Sequence, residues 1–204
     1  MTFKQKIENY WYHYKWHTII TAFFVFTAIV CLVQCSTKEN PDDKALLYVN
    51  QNLLDTAANQ LSETLCEYTE DYNGDGKALY RVNNVSFNGN NLAGVNYSVA
   101  NSEKLLSAVA TAEYVLYIVD GHGYEYISDS SVEVFEKYDF CNDLDGRAWN
   151  WKGSKLQQSF TDSGLPENLY FCIRKIEGTT AEKNKNAIAQ KERAEKLVQT
   201  LAAE

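Results

Sequence analysis

The uncharged apolar run from Thr18 to Cys35 (TIITAFFVFTAIVCLVQC) constrains this chain more than any other feature. At a helical rise of about 1.5 Å per residue it spans roughly 27 Å, close to the hydrocarbon thickness of a bilayer. Trp11, Tyr12, Tyr14, Trp16 and His17 crowd its amino-terminal edge, as amphipathic rings do at a membrane interface. The run reads as an uncleaved transmembrane helix over residues 18–35, with membrane lipid as its first partner.

Orientation follows from the basic residues. Lys4, Lys6 and Lys15 precede the run against Glu8 alone, whereas Ser36 to Lys44 carries Lys38 and Lys44 against Glu39, Asp42 and Asp43. The positive-inside rule predicts a cytoplasmic segment at 1–17, a tether at 36–44 and an extracellular domain at 45–204 of a single-pass protein of the cell membrane. A cleaved signal peptide has a shorter charged opening and small residues before the cut; here Val33 and Gln34 precede Cys35. A lipoprotein signal would lipidate Cys35, and Gln34 is too bulky and polar for the position before it.

Beyond the anchor lie about 165 residues, enough for one domain with a real core. That part holds 16 of the 19 basic residues and 26 of the 27 acidic ones. Such a surface repels polyanions, so nucleic acid and anionic lipid are poor candidate partners for it. Five cysteines divide between Cys31 and Cys35 at the anchor and Cys66, Cys141 and Cys172 outside it. An odd external count without a close pair is not a disulfide framework. Cys66 and Cys172 sit in apolar patterns, as small buried hydrophobes do. His13 and His17 precede the anchor, which leaves His122 alone among the histidines outside and no spacing for zinc.

The external sequence alternates buried strands with amphipathic helices. Ala45 to Val49 and Tyr114 to Val119 are unbroken apolar runs, predicted as parallel strands covered on both faces. Between them, Asn52 caps a predicted helix that buries Leu54, Ala57, Ala58, Leu61 and Leu65 and ends near Glu70. Leu79 to Phe87 alternates like a half-exposed strand with an irregularity at Asn83-Asn84, and Asn88 to Gly94 is rich in turn residues. Ser98 or Asn101 opens a second helix burying Leu105, Leu106 and Val109. The segment DGHG makes a turn, and one or two short helices follow between Tyr124 and Tyr138. A hairpin is expected around Ala148–Lys152 and Lys155–Phe160, a late strand over Asn168–Ile176, and a polar helix over Thr179–Ala203 that docks through Ala194, Leu197, Val198 and Leu201. The fold class is α/β: one layered domain with a mixed, partly parallel sheet flanked by helices.

Five segments carry a resemblance: YWYHYKWH before the anchor, DKALLYVN just beyond it, DYNGDGK, AEYVLYIVD and LPENLYFCIRK. Through them the chain resembles a group of small single-pass membrane proteins of unknown function from Gram-positive bacteria. The α/β pattern is also distantly similar to part of one lobe of extracellular solute-binding proteins. The chain is too short for the two lobes with which such receptors close on a ligand.

Three groups of residues are candidates for a site. Asp71, Asn73 and Asp75 occupy the first, third and fifth places of a calcium loop, with Gly76 at the sharp turn. Val82 stands where a bidentate acid belongs, so the loop predicts weak calcium binding at most, or only a turn that uses Asp, Asn and Gly for their backbone tolerance. Asn50, Gln51, Asp120 and His122 follow the two buried strands, where ligands gather in open α/β sheets. His122 beside a carboxylate suits acid–base chemistry, but no nucleophile elbow accompanies it. Trp149 and Trp151, two apart, share one face of a strand: exposed they form a stacking pair, buried they belong to the core. No phosphate-cradling motif is present. The expectation is an extracellular interaction or binding module that meets a protein partner at the cell surface, without catalysis or a cofactor. A small-solute sensor and a surface hydrolase are the alternatives.

Overall fold

The computed structural model describes residues 2–36, 39–51, 53–86, 92–128, 133–160 and 163–204. It divides into two compact units, Met1–Asn40 and Pro41–Glu204. The first is one helix, α1 (Phe3–Ser36). Within it Tyr10–Gln34, 25 residues of mean hydropathy 2.1, is long and apolar enough to cross a membrane. The helix runs unbroken through the aromatic segment, where Tyr10 stacks on Tyr14 with ring centroids 5.3 Å apart.

In the second unit the described residues form a five-stranded sheet ordered β2-β1-β3-β5-β4. The strands are β1 (Asp43–Tyr48), β2 (Tyr80–Asn84), β3 (Leu116–Val119), β4 (Trp149–Asn150) and β5 (Tyr170–Ile173). β1 runs parallel to β2 and β3, with Ala45 opposite Leu116 and Tyr48 opposite Val119. β5 returns antiparallel against β3 and also pairs with β4. The sheet is therefore mixed and partly parallel, as the unbroken apolar runs of β1 and β3 require of strands covered on both sides.

Alternate residues of each strand feed two cores. Ala45, Leu47 and Val49 point to the side of α2 (Asp55–Cys66) and α6 (Lys185–Ala203), among Leu61, Leu65, Leu197 and Val198. Leu46 and Tyr48 point to the other side, toward Leu105 and Ala108 of α3 (Leu92–Thr111) and Ile127 of α4 (Gly121–Ser128). The chain moves from β1 outward to β2 through α2, then back past β1 to β3 through α3. Reversing direction with one handedness of crossover puts the two helices on opposite faces.

Several boundaries depart from expectation. β1 begins at Asp43, and Asp42 and Asp43, read as polar tether, are 6% and 7% exposed. α3 starts at Leu92 rather than Ser98 or Asn101, and Leu106 is exposed on it. The predicted hairpin at 148–160 does not form. β4 pairs with the distant β5, and 155–158 winds into a helical turn, α5 (Lys155–Gln158), because Ser154 Oγ accepts from the Gln157 amide at 3.2 Å. α6 begins six residues later than predicted, yet Ala194, Leu197, Val198 and Leu201 are buried as expected. α2 begins at Asp55 with Leu54 at its N-cap, 72% exposed, so the helix neither starts from Asn52 nor buries Leu54. Asn52, Phe87 and residues 88–91 lie outside the described residues, and 92–94 of the expected turn belong to α3.

Candidate functional site

The strand order β2-β1-β3 creates a switch point between β1 and β3, the crevice in which open α/β sheets hold ligands beyond their carboxyl ends. In this chain Asp120 occupies that crevice. It follows β3 directly, and its Oδ2 accepts the Asn50 amide at 2.6 Å, tying the end of β3 to the end of β1. Its Oδ1 accepts the Gly123 amide at 2.7 Å, and its carbonyl accepts the Tyr124 amide at 2.9 Å. Asp120 is thus the N-cap of α4, so the segment DGHG is the first turn of a helix and not only a loop. Both of its carboxylate oxygens are engaged with backbone.

Gly123 completes this joint. A Cβ there would lie 2.8 Å from Tyr48 Cδ1 and 2.9 Å from the Tyr48 carbonyl oxygen, so only glycine lets α4 rest on β1. Gln51 reaches across the edge, its Nε2 donating to the Gly164 carbonyl. Four predicted residues therefore do meet at one edge of the sheet, and three of them spend hydrogen bonds on holding it together. His122 differs, since it is exposed and lines an open depression of about 610 Å³ with Tyr124, Glu125, Tyr126 and Ser128.

Trp149 and Trp151 are 4% and 1% exposed. The Trp149 ring meets Phe171 edge-on, and Trp151 Nε1 donates to the Glu167 carbonyl at 3.1 Å. The pair belongs to the core and offers no stacking surface.

The loop Asp71–Lys77 lies at the opposite end of the domain. Asp71 accepts the amides of Gly74 and Gly76 at 2.7 and 2.8 Å, and Asn73 accepts that of Asp75 at 2.8 Å. Asp42, just before β1, reinforces the loop, accepting the amides of Tyr72, Asn73 and Leu79 at 2.7–2.9 Å. Burial pushes the Asp42 pKa up, but these backbone bonds more than offset it and hold the carboxyl below its ordinary value. Among the described residues no three His, Cys, Asp or Glu side chains converge as a metal site.

Sequence reasoning missed Asp42, Gly123 and Tyr126. The spacing of Asp120 and Gly123 carries a capping signal, as Asp before a helix bonds the third amide of its first turn. Asp42 carries no local signal, because the groups it satisfies lie 30 to 37 positions away.

Taken together, the second unit is a three-layer α/β domain whose parallel-strand ends are closed by an aspartate bridge. Comparison with protein-family models, curated proteins and solved structures finds no match.

Proposed function

We propose that this chain is a membrane-anchored extracellular interaction or binding module without catalytic activity. The observation that carries the reading is the edge formed by Asn50, Asp120 and α4. The chain enters the domain at Pro41, at the amino end of β1. The polar edge lies at the carboxyl ends of the same strands and is braced by Asp120. A rigid scaffold presenting loops is how binding surfaces are commonly built. The apolar helix Tyr10–Gln34 supports anchoring, and Lys4, Lys6 and Lys15 against Glu8 support an inward amino terminus. The resemblance to small single-pass proteins of Gram-positive bacteria agrees with this arrangement. Anchoring in the plane of the membrane raises the encounter rate with other surface molecules, and the acidic domain favours a neutral or basic partner.

A photo-crosslinking residue placed at Asn50 or His122 of the full-length protein in its own membrane tests the reading. Adducts with another surface component are expected from these positions and not from Glu192, exposed on α6. Adducts confined to Glu192 would move the recognition surface, and turnover of a peptide or glycan by the purified protein would replace the module with a hydrolase. Protease treatment of intact protoplasts should remove the domain. Its survival until the membrane is permeabilised would reverse the orientation.

The open depression beside His122 favours one second reading, an accessory receptor for a small solute.

A further inference from the structure

We infer that the outer face of α4 binds a neutral glycan, with Tyr126 as the stacking platform and His122 and Glu125 as the groups that read its hydroxyls. The inference rests on the binding-module reading and names its ligand class. Tyr126 is 39% exposed, yet it does not swing freely. Its ring lies against that of Tyr48, centroids 6.1 Å apart and planes inclined by 30°, and Tyr48 is itself 1% exposed. One side of the phenol ring is therefore fixed on the core while the remainder meets solvent. A ring held in this way loses little rotamer freedom when a ligand stacks on it.

His122 and Glu125 precede Tyr126 by four residues and by one, which puts His122 within one helical turn of both. Both side chains are exposed, and among the described residues neither is seen in a side-chain hydrogen bond or ion pair. They contrast with Asp120, whose two oxygens are both committed a few residues upstream. Imidazole donates and accepts, and a carboxylate accepts twice. The depression they share with Tyr124 and Ser128 measures about 610 Å³, within the range of small-ligand sites. The seating of α4 is rigid, because the Asp120 cap and the close approach at Gly123 fix its first turn on β1.

The ligand class follows from what the face offers and lacks. Among the described residues no aliphatic side chain lines the depression, which disfavours an apolar peptide anchor. Among the described residues its one formal anion is Glu125, on a domain already rich in acid, which disfavours phosphate and carboxylate ligands. An exposed aromatic ring beside a donor–acceptor pair matches a sugar, whose C–H face stacks while its hydroxyls take the hydrogen bonds.

The test is titration of detergent-solubilised full-length protein with chitohexaose and cellohexaose, preceded by an array of neutral oligosaccharides to choose further probes. We expect saturable binding that Tyr126→Ala weakens about tenfold or more, the scale of a lost aromatic contact and its hydrogen bonds. Glu125→Gln and His122→Ala, both on the exposed face, should each weaken it while thermal melting is unchanged, which keeps the test decisive if Tyr126→Ala disturbs packing on Tyr48. Leu106→Ala, exposed on α3, should leave binding intact. Absence of binding across the array, or binding indifferent to all three α4 substitutions, would overturn the inference. A protein adduct at His122 without any glycan binding would overturn it too, while leaving the interaction module standing.

Discussion

The Arg193 guanidinium grips both carboxylate oxygens of Asp43, Nε lying 2.9 Å from each, across 150 positions of sequence. Its Nη2 also reaches Asp43 at 2.7 Å and donates to the Asp42 carbonyl at 3.2 Å. The guanidinium carbon sits 4.4 Å from the centre of the Tyr72 ring. One side chain of the last helix thereby joins the first strand to the Asp71–Lys77 loop. Arg193→Ala strands a buried carboxylate and should cost about 3 kcal/mol or more in urea unfolding. Arg193→Lys keeps the charge but not the fork, and should recover only part of that loss.

Asp42 predicts an acid sensitivity of definite sign. Its folded-state pKa lies below the ordinary 3.8, so folding favours the ionised form. The stability it contributes is full above about pH 4 and fades as pH falls through the folded value. Asp42→Asn removes the charge and turns an amide N–H toward the Leu79 amide, and should cost about 2 kcal/mol at pH 7. Urea melts of the two proteins should draw together as pH is lowered below 3.8 and through the folded-state value. A gap that stays constant would show that ionisation of Asp42 plays no part.

Two glycines of one helix should respond in opposite ways. Gly123→Ala drives a methyl into Tyr48 and is expected to destabilise by about 1–3 kcal/mol. Gly121→Ala meets no atom within 4 Å and should be neutral or slightly stabilising. Equal melting temperatures for the two variants would contradict the close seating of α4 on β1.

Asp120 and His122 should also separate. Asp120→Ala loses the cap of α4 and the bridge to Asn50, a cost of about 1–2 kcal/mol. His122→Ala should leave stability within about 0.5 kcal/mol, as for an exposed surface side chain. A joint substitution therefore confounds folding with recognition, and His122→Ala is the cleaner probe of binding.

For the Asp71–Gly76 loop, calorimetric titration with calcium should reveal no site tighter than about 10⁻⁵ M, because Val82 replaces the acid that supplies two oxygens. Submicromolar binding abolished by Asp71→Ala would make the loop a metal site.

What the sequence disclosed divides by range. β1 and β3 were legible because burial on both faces demands an unbroken apolar run, a property each segment carries by itself. The docking stripe of α6 was legible for the same reason, through its 3.6-residue period. The hairpin at 148–160 misled because Trp149 and Asn150 pair with residues about twenty positions on, while the local signal, Ser154 three before Gln157, marks a helix start. The acids at 42 and 43 looked solvated because their partners are remote in sequence. At the carboxyl edge, position was legible from strand ends, but the division between bracing Asp120 and exposed His122 depends on which amides the fold brings near.

The hydrogen bonds along the outer side of β2 have a consequence for assembly. The Val82 amide donates to Ser62 Oγ at 2.8 Å and the Tyr80 amide to Cys66 Sγ at 3.1 Å, so side chains of α2 take up two of the strand's outward N–H groups. The opposite margin, β4, is two residues long. On the anchored reading, copies of this domain would share a two-dimensional film at high local density, where an open sheet margin would seed polymerisation. Sealing that margin from within lets neighbours collide without zippering, and it leaves recognition to side chains rather than to an added strand.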